Sequence, residues 1–308
     1  MTYQQKLQSI TKATGWTQEK LAQELDISFP TLNTWINNKS QPRRQARARI
    51  DFLFTQILGS DAVDSTSLKN VKENASSLTI KPRDLINNKN SLDRLILHLT
   101  YHTNTIEGST MTISDVEDVL FDHKVLSNRT AIEQTEARNH QAALLWLLDT
   151  IVEQGNEFKI NEKLILDLHV RLMNGLMSNA GQYRRHSVRI LGSHVALSNW
   201  QKIPEQIDEF IKNCHKTSKD IVSKLAESHA IFEKIHPFSD GNGRTGRLLM
   251  LAQALHHGTY PPLVQRERKR AYYKYLQLAQ TKQNYQQLEL FIAESMQYCE
   301  KVIYNKNV

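Results

Sequence analysis

A mostly α-helical protein with one short β-hairpin is the fold class that the sequence predicts. Apolar residues recur at helical spacing through most of the chain, and strand patterns are few. Residues 183–198 break the helical pattern and suit a hairpin that turns near Gly192 and Ser193. Beyond the first 90 residues, the clearest helices are predicted near 91–108, 203–214, 219–235, 243–257, 267–281 and 285–303.

The composition is that of an ordinary globular protein. The chain has 308 residues, of which 40% are hydrophobic and 23% charged, so we expect two domains with real cores. No run of about 18 apolar residues predicts a membrane span, and the start MTYQQKLQSITKATGW lacks the apolar core of a signal peptide. Two cysteines cannot build a disulfide framework. We therefore expect a cytoplasmic protein that does not contact membranes.

The positive charge is unevenly distributed along the chain. Residues 1–56 contain eight Lys or Arg against four acids, whereas the rest contains 31 against 28. Residues 57–88 are polar, rich in Ser and Asn and weakly periodic, which predicts a linker or a loosely packed connection. The predicted domains are thus 1–56 and 89–308. The net charge of +7 permits a polyanionic partner without requiring one.

Residues 17–39 predict two short helices joined by a tight turn. Thr17 and Ser28 are suited to cap them, and each helix carries an apolar inner face. This arrangement resembles the Xre/Cro-like helix-turn-helix domains over about 55 residues, and the resemblance implies binding to duplex DNA. A small helical interaction module with a basic end is the alternative. The candidate DNA contacts are Ser28, Thr31, Asn33, Thr34, Asn37, Lys39, Arg43 and Arg44.

Glycine is scarce but clustered. Only 11 of 308 residues are glycine, yet three of them lie between 241 and 246 in the segment HPFSDGNGRTGR, residues 236–247. The string GNGRTG fits the dinucleotide fingerprint G-x-G-x-x-G. We reject that interpretation because the preceding residues are helical rather than an apolar strand.

The same segment predicts an anion site at a helix start. Free backbone N–H groups in a glycine-permitted turn bind anions. Arg244 and Arg247, three residues apart, both project from the first turn of the predicted helix. Two arginines there oppose the helix dipole, a cost that a polyphosphate would offset. Asp240 offers a hard oxygen for Mg²⁺, and His236 is a candidate base. The alternative is a helix-capping loop with surface arginines.

HPFSDGNGRTGR resembles the Fic family motif HPFx[D/E]GN[G/K]RxxR at every defined position, and the resemblance extends over roughly residues 90–305. It implies a Fic-type helical core that transfers AMP from ATP to a Ser, Thr or Tyr hydroxyl of a target protein. His236 would deprotonate that hydroxyl, and Asp240 would bind Mg²⁺. Gly243 favours AMP transfer over the kinase-like members that have Lys there. The ATP-binding residues would be Gly241, Asn242, Gly243, Arg244, Thr245, Gly246 and Arg247.

The predicted hairpin resembles the flap with which the family holds its target by strand addition. The target could be the chain itself, and homodimerisation is left open. A hairpin that merely covers the core is the alternative. The predicted flap residues are Val188, Arg189, Ile190, Leu191 and Gly192.

The predicted helix 91–108 ends in a second family motif. Thr103, Glu107 and Gly108 fit the Fic inhibitory pattern [S/T]xxxE[G/N]. The resemblance implies that Glu107 pairs with Arg247 and thereby occupies the arginine meant for the γ-phosphate of ATP. It also leaves open a second role for Glu107 in removing AMP from a target. The alternative is a helix end closed by Gly108 beside a solvated glutamate.

Two functions from different classes follow. The first is a self-inhibited AMP transferase acting on protein hydroxyls. The second is a transcription regulator of the helix-turn-helix type whose Fic domain only senses nucleotide. The intact motif favours the enzyme, because a pure sensor would not need His236.

Overall fold

The computed structural model describes residues 1–60, 63–190 and 195–304, which form helices and a single isolated β-bridge between Thr79 and Thr259. The mostly helical prediction is confirmed. No strand occurs in these three ranges, so the predicted hairpin is not confirmed: Val188, Arg189 and Ile190 lack regular structure, whereas Leu191 and Gly192 lie outside the described residues. None of the described helices is both long and apolar enough to cross a bilayer.

Four helices form the N-terminal module, with their own apolar core around Leu21 and Leu32. Thr17 caps the second helix by accepting a hydrogen bond from the Lys20 N–H, and Ser28 caps the third through the Thr31 N–H. Both predicted caps are therefore present. The helices are α1 (Tyr3–Thr14), α2 (Gln18–Glu24), α3 (Phe29–Ile36) and α4 (Arg44–Leu58).

The segment predicted to be a linker contains two helices, α5 (Ser65–Ser77) and α6 (Pro82–Asn87). Weak periodicity hid them because few of their side chains are apolar and buried. Ion pairs instead fasten α5: the Lys72 ammonium lies 2.7 Å from the Glu289 carboxylate and 2.6 Å from that of Asp220. Residues 65–77 are therefore held against the rest of the chain rather than left as a free tether.

The remaining helices surround one central helix, α13, whose residues from Thr245 to Leu255 are all buried. A helix that is buried on every side lies at the middle of a domain. The preceding helix α12 packs beside it in an antiparallel hairpin. The bounds are α7 (Lys89–Glu107), α8 (Ile113–Leu120), α9 (Ala131–Gln154), α10 (Glu162–Leu172), α11 (Ile203–Cys214), α12 (Ile221–Ile235), α13 (Asn242–His256), α14 (Lys269–Lys282) and α15 (Gln286–Ile303).

A short 3-10 turn, Arg266–Arg268, joins the N-terminal module to the helical core. The Arg268 guanidinium donates to the Gln56 carbonyl at 3.1 Å and pairs with Glu294 at 2.5 Å. The Arg266 N–H donates to Nδ1 of His102 in α7 at 3.1 Å. Helix α4 and helix α7 are therefore linked through three consecutive residues of one turn.

Candidate active site

The loop between α12 and α13 holds His236 in a left-handed conformation, with φ of 50° and ψ of 61°. Its Nδ1 lies 3.3 Å from the Glu233 carbonyl, so the N–H of the neutral ring is placed on Nδ1 and the lone pair on Nε2. Burial lowers the pKa of His236 to about 4. The ring is therefore neutral near pH 7 and can accept a proton at Nε2.

Asn242 fixes the shape of this loop. Its side-chain amide donates to the Phe238 carbonyl at 2.9 Å, and its amide oxygen accepts from the Phe238 N–H at 2.8 Å. The Phe238 ring is fully buried and stacks on His169, with ring centroids 3.7 Å apart. His169 in turn lies 3.0 Å from the Asp240 carbonyl. The side chain of Asn242 is thus a loop anchor, and only its backbone N–H is left for the phosphate contact that the sequence predicted.

Arg184 is a second anchor of this loop. Its guanidinium donates to the carbonyls of His236 at 2.8 Å, His186 at 2.7 Å and Ser198 at 2.6 Å. The side chain is 2% exposed, and burial lowers the pKa of Arg184 from its ordinary value. One buried guanidinium thereby provides hydrogen bonds to two carbonyls of the segment that precedes α11 and to one carbonyl of the loop before α13.

The first turn of α13 offers unpaired backbone donors. Gly241 precedes the helix at φ of 76°, and no side chain of the described residues caps it. The N–H groups of Asn242, Gly243 and Arg244 have no acceptor in the described part of the chain. This is the geometry of an anion site at a helix N-terminus.

The two arginines of this turn are already paired with carboxylates from two other helices. Arg244 lies 2.8 Å from Glu136 of α9, and Arg247 lies 2.5 Å from Glu107 of α7. Arg247 also donates through Nε to the Thr103 hydroxyl at 2.7 Å. The two arginines therefore pair with carboxylates from two different helices.

Burial and charge oppose each other at Glu107. Burial alone would raise the pKa of its carboxyl, but Arg247 outweighs it and lowers the net value. The same pair raises the pKa of Arg247 against its own burial. Both groups are consequently charged at neutral pH, and the bond between them is charge-assisted.

Glycines 243 and 246 allow close approaches around this pair. A Cβ at position 243 would collide with the Glu107 carboxylate, and one at 246 would lie 2.7 Å from Oε1 of Glu233. Glu233 is 5% exposed, and burial raises its pKa to about 7. Both positions have helical backbone angles, so glycine is needed there for the close contacts and not for an unusual backbone conformation.

Asp240 suits a cation that is shared with phosphates. Its side chain is 71% exposed, and Oδ1 accepts from the Gly241 N–H at 2.7 Å. No cluster of three His, Cys, Asp or Glu able to hold a metal occurs within residues 1–60, 63–190 and 195–304. A single carboxylate fits Mg²⁺, which takes few protein ligands when it binds with a polyphosphate.

The structure therefore brings His236, Asp240 and residues 241–247 together with Thr103 and Glu107. Gly108 closes α7 in a left-handed conformation, which the alternative interpretation of this segment had included. The candidate DNA contacts lie apart, in and next to α3 and α4. Sequence reasoning missed three polar partners that other helices supply, because nothing in the sequence near them indicates which residue they contact: Glu136, His169 and Glu233.

Acid should weaken folding as the pH falls from about 6.5 to 4.5. In the folded chain, burial lowers the pKa of five histidines to about 3 or 4, so in this range they take up protons only on unfolding. Glu233 opposes this trend, because its raised pKa lets the folded state bind the proton. The histidines are His102, His140, His169, His229 and His236.

We expect the free energy of unfolding to fall by about 1.4 kcal/mol per pH unit for each net proton. Urea titrations at pH 7.5, 6.5 and 5.5 measure this slope. A free energy of unfolding that stays flat or rises towards pH 5.5 would contradict the burial of these neutral rings.

Comparisons with known proteins agree with this geometry. The Fic/DOC family model matches residues 159–254. The protein adenylyltransferase Fic of Drosophila ananassae is 30% identical over 182 residues, covering 58% of this chain and 36% of that one. The protein of the same name from Nematostella vectensis is 28% identical over 223 residues, covering 70% of this chain and 51% of its own. The chain thus spans about a third to a half of the length of these curated relatives.

Solved structures show the same fold. Fic-1 (residues 134 to 508) from C. elegans superposes with a TM-score of 0.66 at 21% identity, covering 94% of this chain and 85% of that one. A Fic family protein from Desulfovibrio desulfuricans gives a TM-score of 0.60 at 23% identity, covering 80% of this chain and 77% of its own. Residues 159–254 are thus similar to the Fic/DOC family, and the chain shares the fold of these solved structures.

Proposed function

We propose that the chain transfers AMP from ATP to a hydroxyl side chain of a target protein. The hydroxyl oxygen forms a bond to the α-phosphorus, the bond from that phosphorus to the bridging β-phosphate oxygen breaks, and pyrophosphate leaves. The hydroxyl proton passes to Nε2 of His236. The observation that carries the proposal is a neutral, fixed His236 beside three unpaired N–H groups at the start of α13.

Positioning and charge neutralisation supply most of the catalysis in this kind of reaction. The N–H groups of Asn242, Gly243 and Arg244 bind phosphate oxygens, and Arg247 provides a buried positive charge next to them. Asp240 would hold Mg²⁺, which neutralises charge on the phosphates when it is bound. The names of the curated relatives, protein adenylyltransferase Fic, support the same reaction class.

We also propose that Glu107 inhibits this activity. The carboxylate occupies the guanidinium that a γ-phosphate would use, and it packs against Gly243 at the start of the phosphate site. A nucleotide that seats its γ-phosphate on Arg247 must displace Glu107 first. The Thr103 hydroxyl holds Arg247 in place for this pairing.

His236→Asn should abolish transfer while leaving the fold intact. Asparagine tolerates the left-handed conformation at this position but cannot act as the base. His123→Asn is a matched control, because His123 is an exposed histidine with φ of 55° far from the site in sequence. Labelled ATP and a total protein lysate report the transfer. Wild-type labelling by His236→Asn would remove His236 from this role.

Glu107→Gly should raise labelling by at least about tenfold, which corresponds to the loss of one charge-assisted hydrogen bond to Arg247. Glu107→Gln keeps the size of the side chain and removes its charge, so we expect an intermediate rate. Unchanged labelling in both variants would contradict inhibition by Glu107. Mass spectrometry of the labelled acceptor identifies the transferred group and the modified hydroxyl.

The N-terminal module supports DNA binding as a second proposed function. Asn33 and Asn37 project exposed side chains from the end of α3, and the basic side chains of Lys39, Arg43 and Arg44 are exposed beside them. Ser28 and Thr31 bond to each other at 2.8 Å, and the Asn37 amide likewise donates to Oδ1 of Asn33 at 2.5 Å, so each pair leaves fewer free groups for base contacts.

The full chain should therefore bind duplex DNA with an affinity that falls as salt rises. Replacing Lys39, Arg43 and Arg44 by alanine should reduce the slope of log K against log salt by about 2.7, because three phosphate contacts are lost. Alanine at Lys163, Lys282 and Lys301 removes the same charge elsewhere and serves as the control. Fluorescence polarisation measures both slopes. Absence of binding at low salt would leave the module as a protein-interaction unit.

A further inference from the structure

Two adjoining cavities lie at the end of the α12–α13 hairpin opposite the nucleotide site. The larger, of about 480 Å³, opens between the start of α12 and the end of α13, and the second has about 330 Å³. They share Asn156, His256 and His257 in their walls. Gln253 in the larger cavity follows Arg247 by six residues, about 9 Å along the helix.

The cavity walls are cationic. Lys159, Lys216 and Lys224 line the larger cavity, and Lys81 and Arg83 line the smaller one. No Asp or Glu lines either cavity in the part of the chain that the structure describes. Cations grouped in a concave surface whose lining has no carboxylate attract an anion, although Glu227 lies close enough to act on the charge of Lys224. Their distribution over two joined cavities suits a ligand with two separated anionic groups.

A buried acceptor also lies in the larger cavity. Gln253 is 9% exposed, and its side-chain oxygen has no hydrogen-bond partner among the described residues. A buried polar atom left unpaired costs about 1–3 kcal/mol. A ligand hydroxyl that donates to this oxygen would remove the cost. The cations and the acceptor together call for a molecule that has both negative charge and hydroxyl groups.

We propose that these cavities bind a small bisphosphate that carries hydroxyl groups, at a site separate from the nucleotide site. Phosphates contact the lysines of the larger cavity and the Lys81–Arg83 side of the smaller one. A hydroxyl donates to Gln253. Since Gln253 and Arg247 belong to the same buried helix, the ligand contacts the element that begins at the proposed catalytic loop. The binding does not depend on the reaction proposed above.

Fructose 1,6-bisphosphate is a suitable probe, and fructose is its uncharged counterpart. Isothermal titration of the full chain should show one site for the bisphosphate, weaker binding of inorganic phosphate and none of fructose. The affinity should fall as sodium chloride is raised, because the contacts are ionic. Equal affinity for fructose, or no heat from the bisphosphate at low salt, would overturn the proposal.

Variants locate the site. Lys159→Ala combined with Lys216→Ala should weaken binding at least about tenfold, since two charged contacts are lost. Lys12→Ala combined with Lys282→Ala removes the same charge from other surfaces and should leave the affinity unchanged. Gln253→Leu should weaken the bisphosphate more than inorganic phosphate, which a purely ionic surface would not do. Equal affinity in the wild type and the first double variant would show that the probe binds elsewhere.

Discussion

Two buried arginines at the start of a central helix impose the main constraint on this fold. Arg244 and Arg247 are 2% and 9% exposed, and they stand where the dipole of α13 already concentrates positive charge. A buried cation without a partner costs several kcal/mol, so negative groups must reach this point. Glu136 of α9 and Glu107 of α7 supply them, and these contacts fix both helices relative to α13.

A buried cation also organises the loop before α13, but its partners there are backbone carbonyls instead of carboxylates. Arg184 donates to the His236 carbonyl of this loop and to the Ser198 carbonyl of the segment before α11, and the Asn242 side chain bonds to the backbone of Phe238. His169 supports the loop from α10 through Phe238 and the Asp240 carbonyl. Buried side chains therefore hold this short polar loop in one conformation. An acid–base group needs such a fixed position.

Sequence alone predicted most of the helices and the whole of the loop, because apolar periodicity and a dense motif are local signals. It also predicted that Glu107 pairs with Arg247, since a family pattern connected these distant segments. Glu136 and Glu233 have no such pattern, and their contacts depend on tertiary packing. Helix α5 was not predicted for a related reason: its apolar contacts are limited to a few small or partly buried side chains, and Lys72 adds ion pairs that only the folded chain reveals.

The left-handed backbone of His236 has an evolutionary consequence. Glycine would relieve the strain at this position, which for other residues is of the order of 1 kcal/mol or more. A chain selected only for thermal stability would therefore drift towards glycine at position 236, and the role as a base proposed for His236 would oppose that drift. Under that proposal, stability and activity compete at position 236. Related chains in which His236 is no longer under selection should therefore carry glycine at this position more often.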